Sequence, residues 1–403
     1  MKVAIFFEAD NFSGGVYNLS MSTINSLNNK ELSDIDLNIV TTTFSNIKKL
    51  RSVDAKSEFF PSHKLAERFN RLNKIKLFNF IFKKFKIINP FEKFIKKNNY
   101  DLIFFLSPSK YIEYSGETNF IVNLFDFNHR IENSFPEYRS KNNIEEIDDI
   151  ITTSAKKAYK IFVNTDEAKK DLQNLYNCHS SKILILPYGS SLVNLYESKN
   201  NITSFLNIFK KLEVSKTKNI FFYPAQFWPH KNHKYLIDAA KILDANNIEF
   251  RFIFCGSKKI NYDYIVNQIK LNNLNDKIFI YDYLDDDQVV ALYLNCLAVV
   301  VPTYVGRSSL PLLESFYFKK TIFYSKDILD PALEKFVNAF DLKNPHDLAH
   351  KISEFLDLRS SRAQEKIIKA YDYYSEFLNF KTRNEHVIAV LNDFKYLRKR
   401  WKN

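Results

Sequence analysis

The chain contains 403 residues, of which 45% are hydrophobic and 26% charged, with a net charge of +12. Because a single core rarely grows beyond about 250 to 300 residues, this length predicts two domains. Three cysteines stand far apart, without the spacing of a metal site or a disulfide framework, which predicts a reduced, cytoplasmic protein. The opening MKVAIFF turns polar too early for a signal peptide, and no apolar run is long enough for a bilayer-spanning helix.

Short apolar segments alternate with helical patterns along the chain. Most of the segments are continuously apolar, which is typical of parallel strands covered on both faces. The predicted strands are 3–7, 37–41, 102–106, 120–125, 161–164, 183–186, 220–223, 250–254, 278–280, 297–301 and 321–324. Helices between them are predicted at 16–27, 144–158, 166–176, 232–243, 288–294 and 312–318. This alternation predicts an α/β fold of doubly wound parallel sheets.

A change of composition around 188–218 marks the boundary between two similar α/β domains. We predict a first domain at 1–190, a linker at 191–218 and a second domain at 219–375. The remaining residues, 376–403, have a helical pattern and are expected to pack back towards the first domain.

Most of the positive charge lies in one segment. Between Lys64 and Asn98, eleven basic and two acidic residues give a net charge of +9. Apolar residues fall near helical spacing among the lysines at Phe78, Ile81, Phe82, Phe85 and Ile88. This pattern fits a basic amphipathic helix on an anionic membrane surface, and equally an ordinary surface helix with solvated lysines. No nucleic-acid-binding motif accompanies the charge, so no nucleic-acid partner is predicted.

The chain has only six glycines, and five of them follow predicted strands: Gly14, Gly15, Gly189, Gly256 and Gly306. In open α/β sheets, ligands bind at the carboxyl ends of the strands, and backbone amides at helix starts bind phosphate. The glycines therefore indicate a nucleotide site, although tight turns would also require glycine.

Three motifs carry a resemblance to a known family. FYPAQFWPHKNH follows the strand 220–223, VVVPTYVGRSSLPLLES comes about 70 residues later, and FDFNHRIENSFPE lies in the first half. Together they resemble the retaining glycosyltransferases of family four, of the group 1 type. The resemblance covers the second domain nearly throughout and the first domain more loosely. It implies the GT-B fold, in which two Rossmann-like domains face each other across a cleft.

On this resemblance, the second domain holds a nucleotide-sugar donor, UDP-, GDP- or dTDP-linked, and the protein needs no cofactor or metal. Lys231 stands at the position of the pyrophosphate-binding lysine, where a fixed cation would stabilise the departing phosphate. Gln226 stands where many relatives have an arginine, and it brings no charge. Arg307 is the candidate to supply the missing cation. His230 and His233 could instead hold zinc on one helical face, but a structural role for both is favoured.

Glu314 matches the second of two glutamates in the family motif, which accepts hydrogen bonds from ribose hydroxyls. The first glutamate is replaced by Gly306. The predicted donor site also includes Arg307, Ser308, Ser309 and Leu310, whose amides would face the sugar and phosphates. A solvent-facing carboxylate at a helix start remains the alternative for Glu314.

Other acidic and aromatic residues have simpler interpretations. Tyr283 lies where relatives hold the base, or else packs in the core. Asp285, Asp286 and Asp287 are predicted to cap the helix that follows. Asp34 and Asp36 are predicted to lie on the surface.

In the first domain, Asp126, His129 and Arg130 follow the strand 120–125 and are predicted on the acceptor side. His129 is the candidate catalytic group on the acceptor side. In the second domain, the candidate catalytic residues are Lys231 and Glu314. A packed structural histidine is the alternative.

The resemblance predicts a retaining glycosyltransferase that acts on a growing, lipid-linked surface glycan such as O-antigen, lipooligosaccharide or capsule. The protein would be cytoplasmic, with peripheral attachment to the inner face of the membrane through Lys64 to Asn98. The oligomeric state is not predicted. The alternatives are a catalytically inactive GT-B binding or scaffold subunit and a GT-B nucleotide-sugar epimerase. Product formation from the donor alone would identify an epimerase.

Overall fold

The computed structural model describes residues 1–9, 15–27, 32, 34–51, 54–132, 134–139, 141–186, 189–212, 218–306, 309–358 and 361–401. Contacts divide the chain into two compact units. The first unit contains Met1–Phe127, Lys141–Pro187 and Phe380–Asn403, and the second contains Asn128–Ser140 and Tyr188–Asn379.

The first unit is built on a sheet of seven parallel strands in the order β3-β2-β1-β4-β5-β6-β7. The strands are β1 Lys2–Phe6, β2 Asp36–Thr41, β3 Ser57–Phe59, β4 Leu102–Phe105, β5 Asn119–Asn123, β6 Lys160–Val163 and β7 Ile183–Ile185. Along β1, Ala4 and Phe6 join one hydrophobic cluster while Val3 and Ile5 join another. Both faces of the sheet are therefore covered, which explains why the strands are continuously apolar.

The second unit is built on six parallel strands in the order β10-β9-β8-β11-β12-β13. The strands are β8 Ile220–Pro224, β9 Arg251–Cys255, β10 Ile278–Tyr281, β11 Ala298–Val301, β12 Thr321–Ser325 and β13 Asn338–Phe340. One large hydrophobic cluster extends through this unit.

Helices connect the strands in chain order. They are α1 Gly15–Leu27, α2 Phe44–Arg51, α3 His63–Asn73, α4 Lys76–Lys84, α5 Pro90–Lys97, α6 Asn128–Ile131, α7 Lys141–Lys157, α8 Asp166–Tyr176, α9 Ser191–Lys199, α10 Ile202–Phe209, α11 His233–Ala245, α12 Tyr262–Leu271, α13 Asp286–Asn295, α14 Leu310–Tyr317, α15 Pro345–Leu358, α16 Ser361–Tyr373 and α17 Phe380–Trp401. No helix in the described part of the chain combines the length and hydropathy needed to cross a bilayer.

The predicted doubly wound α/β fold is confirmed, and all eleven predicted strands form within one or two residues of their expected bounds. Two strands at the sheet edges were missed, β3 and β13. Each has three residues, and β3 is only half-buried, so neither produces a long apolar run. Such short segments carry no periodic signal in the sequence.

The segment expected as a linker, 191–218, contains the helices α9 and α10. Leu192, Val193 and Phe205 are buried in the hydrophobic cluster of the second unit. The helix α17 groups with the first unit, and its Val387, Leu391 and Phe394 are buried in a cluster of that unit.

In each unit the strand order reverses between two central strands. The reversal lies between β1 and β4 in the first unit and between β8 and β11 in the second. The loops at the carboxyl ends of these strands diverge and leave a crevice, where ligands of open α/β sheets bind.

Candidate active site

The motif that follows β8 forms a turn at the switch point of the second unit. Residues Pro229–Lys231 make one 3-10 turn, which begins with a proline. Asn232 then adopts a left-handed conformation (φ 57°), and α11 begins at His233. Asparagine tolerates this conformation better than most residues. The half-buried Lys231 consequently stands at the entrance of a 13-residue helix, whose N-terminus favours anions.

Hydrogen bonds fix the backbone of this turn on both sides. Tyr223 on β8 donates its hydroxyl to the carbonyl of Lys231 at 2.7 Å. The carbonyl of His230 accepts from the hydroxyl of Thr303 and from the backbone amide of Tyr304, both at 2.9 Å. Since Thr303 and Tyr304 follow β11, the two loops of the switch point are joined to each other.

A third contact comes from the segment Asn128–Ser140, which belongs to the second unit. Oε1 of Glu137 accepts from the backbone amide of His230 at 3.2 Å and lies 2.5 Å from its Nδ1. Burial, with a smaller effect of Lys231, lowers the pKa of His230 to about 4 although the hydrogen bond to Glu137 opposes the shift. The imidazole is thus neutral near pH 7, and its Nδ1–H donates to the carboxylate.

His233 has a different environment from His230. Its ring is fully buried, stacks on Phe227 at 4.4 Å between centroids and lies 5.2 Å from the ring of Phe254. Burial lowers its pKa to about 3. The structural role predicted for His233 agrees with this aromatic packing. Among the described residues, no group of three or more His, Cys, Asp and Glu side chains is arranged to hold a metal ion.

Glu314, on α14, is buried with 5% of its surface exposed, so the predicted alternative of a solvent-facing carboxylate is wrong. Its Oε1 accepts from Ser190 at 2.7 Å and its Oε2 from the hydroxyl of Tyr293 at 2.5 Å. Burial raises the pKa of Glu314, while these two hydrogen bonds act in the opposite direction. Each carboxylate oxygen has two acceptor positions, so Glu314 retains capacity for further hydrogen bonds.

Two positions at the carboxyl edge of this sheet favour glycine, each for a different structural reason. A Cβ on Gly256 would lie 2.3 Å from the carbonyl oxygen of Ala225 and 2.7 Å from the amide of Gln226. Gly256 therefore lets the end of β9 approach the loop after β8. Gly306 has a φ of 98°, a conformation that favours glycine, and a Cβ on it would meet no atom of the described residues within 4 Å.

The remaining residues predicted for the donor site differ in their contacts, their exposure and the elements that carry them. Gln226 accepts a hydrogen bond from the indole of Trp228 at 3.0 Å. Tyr283 is 82% exposed, so the alternative of core packing is wrong for it. Gly15 begins α1 in the first unit, Ser309 is the N-cap of α14 and Leu310 begins that helix. Gly14, Arg307 and Ser308 lie outside the described residues.

The predicted cap is confirmed for Asp285, and the predicted surface positions of Asp34 and Asp36 are confirmed. Asp285 is the N-cap of α13 and forms a capping box with Gln288, while Asp286 and Asp287 lie in the first turn. Asp34 is exposed and pairs with Lys395 at 3.0 Å. Asp36 pairs with Lys56 at 2.7 Å.

The three residues predicted on the acceptor side differ in how far they are buried. His129 is buried, and both Asp126 and Arg130 are exposed. His129 and Arg130 lie in α6, within the segment that groups with the second unit, whereas Asp126 belongs to the first unit.

Several polar residues at the switch points or bonded to predicted site residues were missed from the sequence. Glu8 follows β1, and its Oε2 accepts from Ser109 at 2.8 Å, after β4. Burial raises the pKa of Glu8, although the hydrogen bond from Ser109 opposes the shift. Glu137, Tyr293 and Ser190 were also missed. The sequence contained a signal for two of these residues. Glu8 follows the predicted strand 3–7, and Glu137 lies in the motif FDFNHRIENSFPE.

Two doubly wound units, with a cationic turn at the switch point of the second, define a two-domain Rossmann-like protein. Residues 204–371 match the model of a family described as glycosyl transferases group 1. This range covers most of the second unit. No curated protein matches the sequence.

Solved structures similar to the chain include HepE from Anabaena in complex with UDP-glucose, at 14% identity and a TM-score of 0.73, covering 98% of this chain and 100% of the other. A point mutant of S. aureus TarM in complex with fondaparinux, alpha-GlcNAc-glycerol and UDP has 15% identity and a TM-score of 0.66, covering 97% of this chain and 99% of the other. WaaG, a glycosyltransferase involved in lipopolysaccharide biosynthesis, has 12% identity and a TM-score of 0.64, covering 96% and 99%. The predicted GT-B fold is confirmed.

Proposed function

We propose that the protein is a retaining glycosyltransferase. It moves a sugar from a UDP-, GDP- or dTDP-linked donor to a hydroxyl of a growing, lipid-linked surface glycan such as O-antigen, lipooligosaccharide or capsule. The observation that carries this proposal is the half-buried Lys231 at the switch point of the second unit, within residues that match the model of group 1 glycosyl transferases. The UDP-glucose of HepE and the lipopolysaccharide role of WaaG support the classes of donor and acceptor.

The chemical task is to stabilise the charge that grows on the departing nucleoside diphosphate. A fixed cation that is partly removed from water does this more effectively than a mobile cation in solvent, because it needs no reorganisation during the reaction. In the proposed site, Lys231 and the first amides of α11 meet the diphosphate. The three hydrogen bonds to the carbonyls of His230 and Lys231 keep that geometry fixed.

Retention is proposed to follow a front-face route. A double displacement would need a carboxylate nucleophile close to the reacting carbon. Gly306 stands where relatives carry one carboxylate, and Glu314 is buried and hydrogen-bonded to Tyr293 and Ser190. The acceptor hydroxyl therefore attacks from the side of the leaving group. The bond between the sugar carbon and the phosphate oxygen breaks, the new glycosidic bond forms, and the departing phosphate takes the proton of the hydroxyl.

The other predicted residues receive roles on the same basis. Glu314 binds ribose hydroxyls of the donor, while the Gly306 loop and the start of α14 contact the sugar and phosphates. Tyr283, being exposed, is available to contact the base. His129, Asp126 and Arg130 serve the acceptor. Transfer is proposed to be independent of metal because Lys231 supplies the positive charge, and to occur at the inner face of the cytoplasmic membrane.

A panel of nucleotide sugars tests the proposal. Thermal unfolding is measured with UDP-, GDP- and dTDP-linked sugars, because a ligand that binds only the folded state raises the unfolding temperature. The donor that stabilises the protein is then incubated with glycosyl acceptors, and NMR of the product reports the anomeric configuration. We expect one nucleotide class to stabilise the protein and the product to keep the donor configuration. Inversion would reject the retaining mechanism, and the absence of any stabilising nucleotide would reject the donor site.

A further inference from the structure

One segment of the first unit exposes an unusual number of large apolar side chains. It consists of residues 71–88, which form the end of α3, all of α4 and the loop before α5, and we call it the 71–88 face. Its exposed apolar residues are Leu72, Ile75, Leu77, Phe80, Phe85, Ile87 and Ile88. Leu77 and Phe80 are 64% exposed and Phe85 is 67% exposed. An ordinary surface helix buries its apolar stripe, but α4 has no buried residue.

The packing of α4 explains which side chains point outwards. Phe82 stacks on Phe69 of α3 with 4.3 Å between the ring centroids, and Phe78 lies 6.1 Å from Phe82. This contact fixes the inner side of α4. Leu77 and Phe80 are three residues apart and share the outer side. The apolar residues noted at helical spacing therefore differ in exposure: Phe78, Ile81 and Phe82 are half-buried, while Phe85 and Ile88 lie beyond the end of α4 and are exposed.

The same segment is strongly basic. Its 18 residues contain six basic side chains, Arg71, Lys74, Lys76, Lys83, Lys84 and Lys86, and no carboxylate. All six are exposed. Arg71 lies 3.8 Å from Glu67 and Lys74 lies 3.4 Å from Asp149, and exposed pairs of this kind contribute little energy. Lys76, Lys83 and Lys84 are on α4 itself, next to Leu77 and Phe80.

We propose that the 71–88 face docks on an anionic lipid bilayer. Leu77, Phe80 and Phe85 enter the boundary between headgroups and acyl chains, and the lysines contact lipid phosphates. Apolar side chains flanked by lysines suit this boundary, because each class of side chain meets a matching layer of the membrane. Charge complementarity favours lipid over a second copy of the chain, since two such faces would bring like charges together. The inference deepens the proposed function by bringing the enzyme to a lipid-linked acceptor.

Sedimentation with vesicles tests the inference on the full chain. Vesicles of phosphatidylcholine alone are compared with vesicles of phosphatidylcholine and phosphatidylglycerol, at low and high salt. The apolar variant carries Leu77→Ser and Phe80→Ser, and the charge variant carries Lys83→Glu and Lys84→Glu. Matched controls are Ile260→Ser with Leu271→Ser, both 68% exposed in the second unit, and Lys156→Glu with Lys157→Glu on α7. Thermal unfolding verifies that each variant is folded.

We expect the wild-type chain and both controls to sediment with the anionic vesicles, and less so at high salt. The charge variant should bind at least about twenty-fivefold more weakly, since each lysine lost costs about fivefold and each glutamate adds repulsion. The apolar variant should also lose binding, which a purely ionic attachment would not predict.

The inference is overturned by absent wild-type binding, by equal binding to both vesicle types, or by variants that bind as the wild type does. A dimer that dissociates in the apolar variant would assign the face to a second copy instead. Because the vesicles contain neither donor nor acceptor, a negative result leaves the proposed transfer reaction untouched.

Discussion

The switch points of the two units share a topology but differ in charge. In the first unit, Glu8 after β1 accepts from Ser109 after β4. In the second unit, the turn that carries Lys231 after β8 is joined to Thr303 after β11. One switch point thus carries a glutamate and the other a lysine.

The difference shows that strand order places a ligand site without choosing the ligand. Parallel strands leave a crevice wherever the winding reverses, whatever residues follow them. An ammonium and helix amides suit a diphosphate, whereas a carboxylate accepts hydrogen bonds from hydroxyl groups and repels phosphate. The two units are therefore expected to respond differently to loss of their charged residues.

The largest effect is expected from Lys231→Ala. If Lys231 meets the departing phosphate, its removal should lower the rate of transfer by about a hundredfold to a thousandfold, while the unfolding temperature stays close to that of the wild type. Steady-state kinetics with the identified donor measures the loss. Lys241→Ala, an exposed lysine on the same helix, is the control and should be fully active. Near-normal turnover of Lys231→Ala would remove the basis of the proposed donor site.

Acid should destabilise the second unit through its buried histidines. The folded-state pKa values of His230 and His233, about 4 and about 3, lie below the ordinary value of 6.5. Below pH 6.5 the unfolded chain therefore binds protons that the folded chain does not, so stability is complete above pH 6.5 and falls as the pH drops towards 4. Between pH 7 and pH 5 the loss should be roughly 2 kcal/mol for each histidine. Unfolding temperatures at pH 7 and pH 5 measure it.

His233→Phe should lose less stability than the wild type over that pH interval, because it keeps the stacking on Phe227 without the titrating group. His350→Ala changes an exposed histidine and should follow the wild type. Identical pH profiles for His233→Phe and the wild type would contradict the assignment.

Glu314→Gln should separate binding from stability. Because burial raises the pKa of Glu314, the charged form at pH 7 costs folding energy, and the amide should leave the free energy of unfolding equal or higher. If Glu314 accepts from ribose hydroxyls, affinity for the nucleoside diphosphate should fall about tenfold, since hydrogen bonds to charged groups contribute about 1.5 to 3 kcal/mol. Calorimetric titration measures the affinity. A stable variant with unchanged affinity would assign Glu314 a purely structural role.

Glu137→Gln should lower kcat less than Lys231→Ala does. Glu137 contacts His230 and would act only by positioning the turn. The amide keeps one acceptor but loses the charge that holds the imidazole, so the turn carrying Lys231 should become less fixed. We expect a several-fold lower kcat with little change in thermal stability. Exposed Glu117→Gln in the first unit is the control, and equal kcat in the two variants would contradict the positioning role.

The smallest effect on the donor is expected from Glu8→Gln. Its carboxylate lies at the switch point of the other unit, so affinity for the nucleoside diphosphate should stay within a factor of about two, and stability at pH 7 should be equal or higher because burial raises the pKa of Glu8. Calorimetry beside Glu314→Gln makes the comparison direct. A large loss of donor affinity in Glu8→Gln would contradict the assignment of the donor site to the switch point of the second unit alone.

Local patterns made much of the fold predictable. The run that becomes β8 and the proline-bounded turn after it are contiguous, so a strand followed by a turn and a helix could be expected from residues 220–243 alone. The same holds for the capping box from Asp285 to Gln288, which spans four residues. The edge strand β3 has no such run, and its pairing with β2 depends on the rest of the sheet.

The sequence by itself determined the alternation of strands and helices, the class of fold and the place of Lys231 at the entrance of α11. Those features depend on neighbouring residues, whose propensities and periodicity act over one or two turns of chain. Only the tertiary structure decided that Glu137 meets His230 across 93 residues and that Ser190 meets Glu314 across 124. It also decided which side of α4 is exposed. Contacts of this kind arise when sheets and helices pack, and no local pattern encodes them.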